Sequence, residues 1–129
     1  MSTLKLEVVT PLGLIFSHDV KAVTLPGVEG EFGILPGHAS FVSMLKAGVM
    51  DIELESGKHD VVAVNWGYVK VDEEKVIVLA DGAVSVRGSN ESEIAASIEN
   101  ANKLIESMGD SETSIALAKA RIESIARLR

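Results

Sequence analysis

From Leu4 to about Val86, apolar residues recur at every second position between short clusters of Gly, Pro, Asn and Asp. A period of two belongs to a strand, whose successive side chains point to opposite faces. Met50, Ile52 and Leu54 alternate with Asp51, Glu53 and Glu55 in the clearest instance, which predicts one buried face and one wet face. Similar runs predict strands over Leu4 to Val9, Leu14 to Leu25, His59 to Val64, Trp66 to Val71 and Val76 to Ala80. Ser56-Gly57-Lys58 and Asp72 to Lys75 read as turns. Many short strands at this spacing imply a β-sandwich or flattened barrel.

After Gly88 the period changes. Ile94, Ile98, Ala101, Ile105 and Met108 step by four, three, four and three, which lines one side of a helix. Asn90 followed by Glu93 reads as a capping box at its start, and Gly109 stops it. Ile115, Ala118, Ile122 and Ile125 mark a second helix, with Arg127 and Arg129 in its last turn favourably set against the helix dipole. Two stripes joined by a short turn make an antiparallel helical hairpin. The chain thus divides into a β-sandwich domain, residues 1–87, and a hairpin domain, residues 88–129, hinged at Arg87, Gly88 and Ser89. Ala95, Ala96, Ala101, Ala116, Ala118, Ala120 and Ala126 let the helices pack closely but bury little area. Alanine in place of a leucine-sized contact removes about 1 to 2 kcal/mol per position, so undocking is cheap.

Charge is uneven. The formal net charge is −7, yet residues 112–129 hold four basic and two acidic side chains, whereas residues 89–111 hold one basic and five acidic. The last helix is locally basic. It suits an acidic partner surface, and it equally suits a solvated face with dipole-matched arginines. The acidic balance argues against nucleic-acid binding. The chain has no cysteine, which excludes disulfides and thiolate chemistry. Its longest apolar runs, Val61 to Val64 and Val76 to Ala80, are far shorter than a bilayer span. No signal-peptide layout opens the sequence, so membrane association is expected only through a partner.

Gly27, Gly30 and Gly33 imitate a phosphate loop, but no Gly-Lys-Ser/Thr ending follows, and the interleaved charges are Glu29 and Glu31. The glycines read instead as supplying positive φ in a tight connection. His18, His38 and His59 lack the spacing that sets two metal ligands on one face. His38 lies in the stiff run Gly33 to Ala39, where a turn-stabilising hydrogen bond and a partner contact are both open readings. Alternation accounts for Asp51, Glu53 and Glu55 without acid–base chemistry, and no Gly-x-Ser-x-Gly elbow is present. These residues favour a binding or structural protein over an enzyme, with no catalytic residue, metal or cofactor.

The segment Val23-Thr24-Leu25-Pro26-Gly27-Val28-Glu29-Gly30-Glu31-Phe32-Gly33-Ile34-Leu35-Pro36-Gly37-His38-Ala39 resembles the signature of the epsilon subunit of bacterial F-type ATP synthases. Val9-Thr10-Pro11, Trp66-Gly67-Tyr68-Val69-Lys70-Val71 and Ala80-Asp81-Gly82-Ala83 follow the family in order, so the resemblance covers essentially the whole chain. It implies a ten-stranded β-sandwich followed by the helical hairpin, in a non-catalytic rotor subunit of the central stalk that links the gamma subunit to the c-ring and couples proton flow to ATP synthesis. By the same resemblance Glu29, Gly30, Glu31 and Phe32 face the c-ring, and His38, Ala39 and Phe41 lie against gamma. The family's hairpin either folds on the sandwich or extends along gamma into the catalytic alpha/beta head, where it restrains hydrolysis. Lys119, Arg121, Arg127 and Arg129 would then meet the head. The implied location is peripheral, on the cytoplasmic face of a bacterial inner membrane. The family's nucleotide motif, Leu or Ile, Asp, two free positions and Arg-Ala, corresponds here to Glu91, Ser92, Glu93, Ile94, Ala95 and Ala96. Its aspartate and arginine are missing, so ATP binding is not expected. A second helix ending at Arg129 is shorter than in long-tailed relatives, which implies a shallower reach into the head.

Overall fold

A computed structural model describes residues 3–73, 75–86, 90–107 and 112–126. The expected hinge at Arg87, Gly88 and Ser89, the helix-ending Met108 and Gly109, and Arg127 and Arg129 lie outside the described residues. Among the described residues, nine strands precede two helices: β1 Leu4–Thr10, β2 Gly13–Gly27, β3 Gly30–Ile34, β4 Phe41–Leu45, β5 Gly48–Leu54, β6 His59–Val64, β7 Gly67–Val71, β8 Lys75–Ala80, β9 Ala83–Val86, α1 Glu91–Glu106 and α2 Glu112–Ala126.

The sandwich with a helical hairpin is as expected from the sequence, with nine strands where ten were expected. The difference lies in β2, which runs unbroken for 15 residues. Its first half pairs antiparallel with β1 and its second half with β3 and β5, so one strand serves both sheets. Register shifts between Val20 and Ala22 let it turn the corner. From β1 the order runs β8, β7, β4, β2, β5, β6, β9, with β3 beside β2 and β1 returning to β2. The β1–β8 pair is parallel.

Alternation fills the interior. Leu4, Leu6, Val8, Phe16, Val20, Val23, Leu25, Met50, Ile52, Val69 and Val78 point inward and form one core with Val62 and Val64. β6 does not alternate, because Val61 through Val64 are all buried. Val62 and Val64 face the sandwich interior, while Val61 and Ala63 join Val49 and Val86 in a second apolar cluster outside it. A strand covered on both faces reads as a continuous apolar run.

The hairpin covers that outer face. Ile98, Ala101 and Ile105 of α1 and Ile122, Ile125 and Ala126 of α2 are buried against Val49, Val61, Ala63 and Val86. Asn90 caps α1 as expected, its Oδ1 accepting from the Glu93 amide at 2.9 Å, and Ser97 Oγ donates to the Ser85 carbonyl at 3.2 Å. The structure therefore holds the hairpin folded on the sandwich.

Candidate protein-docking site

The two outer faces of the sandwich differ. The face of β5, β6 and β9 lies under the hairpin. Among the described residues no element covers the face of β1, β8, β7 and β4, which bears apolar side chains in register. Leu14 of β2 pairs with Val9 of β1, Val9 with Leu79 of β8, Leu79 with Tyr68 of β7, and Tyr68 with Met44 of β4. Directly paired residues share a face, so the five make one row across five strands. Leu14 reaches this face through the β1–β2 register shift between Val8 and Val9, since Phe16, two residues on, points into the core. Leu14 and Met44 are 58% and 59% exposed, far too open to serve the core. Val42 stands beside Met44, and Val28 extends the row through its amide, which donates to the Met44 carbonyl at 3.1 Å. A shallow depression of about 350 Å³, lined by Val9, Pro11, Trp66, Tyr68 and Leu79, follows the same line.

At the end of the row beyond Met44, β2 turns into β3. Gly27 pairs with Gly30 across the two residues Val28 and Glu29. Positive φ was expected of Gly27, Gly30 and Gly33, and of these only Gly30 has it, at 133°. Gly27 is required for another reason, since a Cβ there would stand 2.6 Å from the Gly30 carbonyl oxygen and 2.7 Å from the Phe32 ring. Gly33 has neither need. Of the residues assigned by resemblance to the ring, Glu29, Gly30 and Glu31 are exposed, while Phe32 is half-buried with its ring edge-on to Phe41 at 5.8 Å.

The connection before β4 carries the residues assigned to gamma. His38 is exposed, and its Nδ1–H donates to the Ala39 carbonyl at 3.0 Å. Its amide bonds the Leu35 carbonyl at 3.3 Å while Gly37 turns the chain at φ 80°. This is the turn-stabilising bond considered for it, and it leaves the ring free to stack edge-on with Phe41 at 5.2 Å. Phe41 packs against the core, so its strand neighbours Val42 and Met44 are the side chains that look outward. Sequence reasoning missed both. The signal was present: Phe41 to Leu45 fails to alternate because the outward positions are apolar too.

The two described cations of α2, Lys119 and Arg121, are engaged. Lys119 pairs with Glu106 across the two helices. Arg121 Nη2 lies 3.3 Å from Glu31 Oε2 and 3.9 Å from Asp51 Oδ2. Asp51 in turn accepts from His59 Nδ1 at 2.7 Å. The expectation of a wet face at Asp51, Glu53 and Glu55 is thereby corrected at its first position. Asp51 is only 19% exposed, because α2 covers that end of β5. Glu53 pairs with Lys21 at 3.7 Å. Among the described residues no three His, Asp or Glu side chains gather as a metal site requires. No helix among the described residues is long and apolar enough to cross a membrane.

Residues 3–86 match the β-sandwich domain of the ATP synthase Delta/Epsilon chain. The chain belongs to that family. The match ends at Val86, the last residue of β9. An ATP synthase epsilon chain from Campylobacter fetus subsp. fetus is 64% identical, with all of both chains covered. Another from Wolinella succinogenes is 55% identical over 98% of this chain and 97% of its own. Among solved structures, a chain of the Euglena gracilis mitochondrial ATP synthase OSCP/F1/c-ring assembly superposes with a TM-score of 0.63 at 26% identity, covering 98% of this chain and 76% of that one. A chain of the Tetrahymena thermophila mitochondrial ATP synthase central stalk/c-ring shares the fold, with a TM-score of 0.52 at 17% identity over 97% and 92%. As a member of the Delta/Epsilon family, this chain is a non-catalytic subunit of an ATP synthase.

Proposed function

We propose that this chain is a rotor subunit of the central stalk that joins gamma to the c-ring and couples proton flow to ATP synthesis. The observation that carries the reading is the row Leu14, Val9, Leu79, Tyr68 and Met44, half-buried at Val9 and exposed at the other four. A contiguous apolar band on an otherwise acidic chain marks a surface normally covered by a partner. Gamma is that partner, seated on the row and on the adjoining His38 and Ala39 turn, with Phe41 supporting the turn from beneath. The loop of Glu29, Gly30, Glu31 and Phe32, at the end of the row, meets the c-ring. The complex sits at the cytoplasmic face of a bacterial inner membrane, where this chain is peripheral.

The sandwich, residues 1–87, is the anchor, and the hairpin, residues 88–129, hinged at Arg87, Gly88 and Ser89, is the regulatory arm. Extended, the arm brings Lys119, Arg121, Arg127 and Arg129 to the catalytic alpha/beta head and slows hydrolysis. The separation of the two apolar clusters supports this division, since the hairpin leaves without opening the sandwich interior.

Two measurements test the reading. Binding to a gamma-containing stalk complex is titrated with the native chain and with Met44→Glu and Tyr68→Glu. Each substitution is expected to weaken binding about tenfold or more without lowering thermal stability. Unchanged affinity in both would remove gamma from this face. ATP hydrolysis by a head complex lacking this subunit is then titrated with the full chain and with one stopped after Arg87. Slowing by the full chain alone identifies the arm, and equal effects of the two chains would strip the hairpin of its inhibitory role.

A further inference from the structure

Arg121 and Glu31 belong to two segments with different proposed partners, yet in the folded chain they hold each other at 3.3 Å. Glu31 is the second residue of β3, exposed beside the acidic β2–β3 turn. That turn is continuous with the apolar row, since Val28 is bonded to Met44 and residues of both segments line one depression. A partner group seated in that depression lies beside Glu31, and an acidic segment is recognised by a cation or by hydrogen-bond donors. Arg121 projects from α2 across a cleft of about 200 Å³, lined also by Pro26, Lys46, Val49 and Leu117, so docking is incomplete on this side of the hairpin. Its Nε is buried without a hydrogen-bond partner, which leaves the docked arginine imperfectly satisfied.

We propose that the Arg121–Glu31 pair is a latch that a partner opens by competition: a cationic or hydrogen-bond-donating group that takes Glu31 loosens the hairpin. Partner binding at Glu31 and the Arg121 contact use the same carboxylate and compete for it. Thermodynamic linkage makes the effect reciprocal, so a released hairpin strengthens binding at the loop by the factor with which binding releases the hairpin. Asp51, the second carboxylate near Arg121, remains after Glu31 is withdrawn. The latch therefore biases the hairpin without fixing it, and a half-exposed pair of this kind shifts an equilibrium by about threefold. The inference rests on the proposed stalk role for the identity of the partner, though not for the latch itself.

The test has two arms, both with the full chain. In isolation, amide hydrogen exchange in α2 is compared for the native protein, Glu31→Gln, Arg121→Gln, the double variant, and Glu29→Gln as a neighbouring loop carboxylate. Glu31→Gln is expected to speed exchange about threefold, the double variant no more than Arg121→Gln alone, and Glu29→Gln not at all. Native exchange in Glu31→Gln, or fully additive effects, would overturn the latch. In the second arm the chain is bound to a gamma–c-ring complex without the catalytic head. Faster α2 exchange on binding, absent in Glu31→Gln, is expected, together with tighter binding of Arg121→Gln by a similar factor. Binding with unchanged α2 exchange would overturn the competition and leave the stalk reading standing. Failure to bind would overturn the stalk reading and the competition with it, the latch being judged by the first arm.

Discussion

Gly67 opens β7 opposite Ala80 of β8, and the two backbones approach so closely that a Cβ at 67 would stand 2.0 Å from the Leu79 carbonyl oxygen and 2.9 Å from the Ala80 Cα. Both obstacles are backbone, so neither can rotate aside. Gly67→Ala is expected to cost about 3 kcal/mol of stability, read from the midpoint of denaturant unfolding. Gly33→Ala is the contrasting case, with an extended backbone and a nearest atom 3.9 Å away, and should stay within about 0.5 kcal/mol of the native protein. The sequence marks both as glycines in a signature and cannot tell them apart. Positive φ, close approach and mere tolerance leave the same letter, and only the cross-strand partner decides between them. Asp51 was hidden for a similar reason. Its alternation with Met50 and Ile52 correctly points it out of the sandwich, but the arrival of α2 over that face depends on contacts far away in the chain.

The hairpin is the element whose periodicity was most legible. Of the expected stripes, Ile98, Ala101, Ile105, Ile122 and Ile125 are buried and Ile94, Ile115 and Ala118 partly so, while Ala126 is buried outside the stripe and Met108 lies outside the described residues. What they pack against was written in β6, whose unbroken run Val61 to Val64 requires cover on both faces. β4 was the least legible strand, since Val42 and Met44 put apolar side chains on the outward face and erase the alternation that betrays a strand. Because the hairpin and sandwich have separate clusters, a cavity in one should not unfold the other. Ile122→Ala removes a fully buried side chain, which in a sandwich core would cost about 2 to 5 kcal/mol. Here the loss is capped by the docking free energy, since the hairpin can leave instead. Exchange or proteolysis in α1 and α2 should rise sharply while the unfolding midpoint of the sandwich barely moves. Met50→Ala, in the inner cluster, should lower that midpoint by the full amount. A common midpoint shift in both variants would mean that the two clusters unfold as one.

At the scale of the molecule, both outer faces of the sandwich carry apolar side chains, and the described residues supply cover for one. The hairpin shields Val49, Val61, Ala63 and Val86, whereas Tyr68, Met44 and Leu79 are left bare. Releasing the hairpin therefore uncovers a second apolar face and the buried stripes of both helices at once. That cost opposes extension until the helices find another surface, which is why a marginal hairpin can still rest folded in the isolated chain. Ile122→Asp should raise the binding of an apolar fluorescent dye and promote self-association, because it uncovers the apolar patch of Val49, Val61, Ala63 and Val86. Met44→Lys should do the opposite, lowering dye binding by interrupting the bare row while the hairpin stays docked. The pair of variants separates the two faces. If dye binding in the native chain fell as much with Ile122→Asp as with Met44→Lys, the dye would be reading the hairpin, and the row would not be the exposed surface that the register makes it.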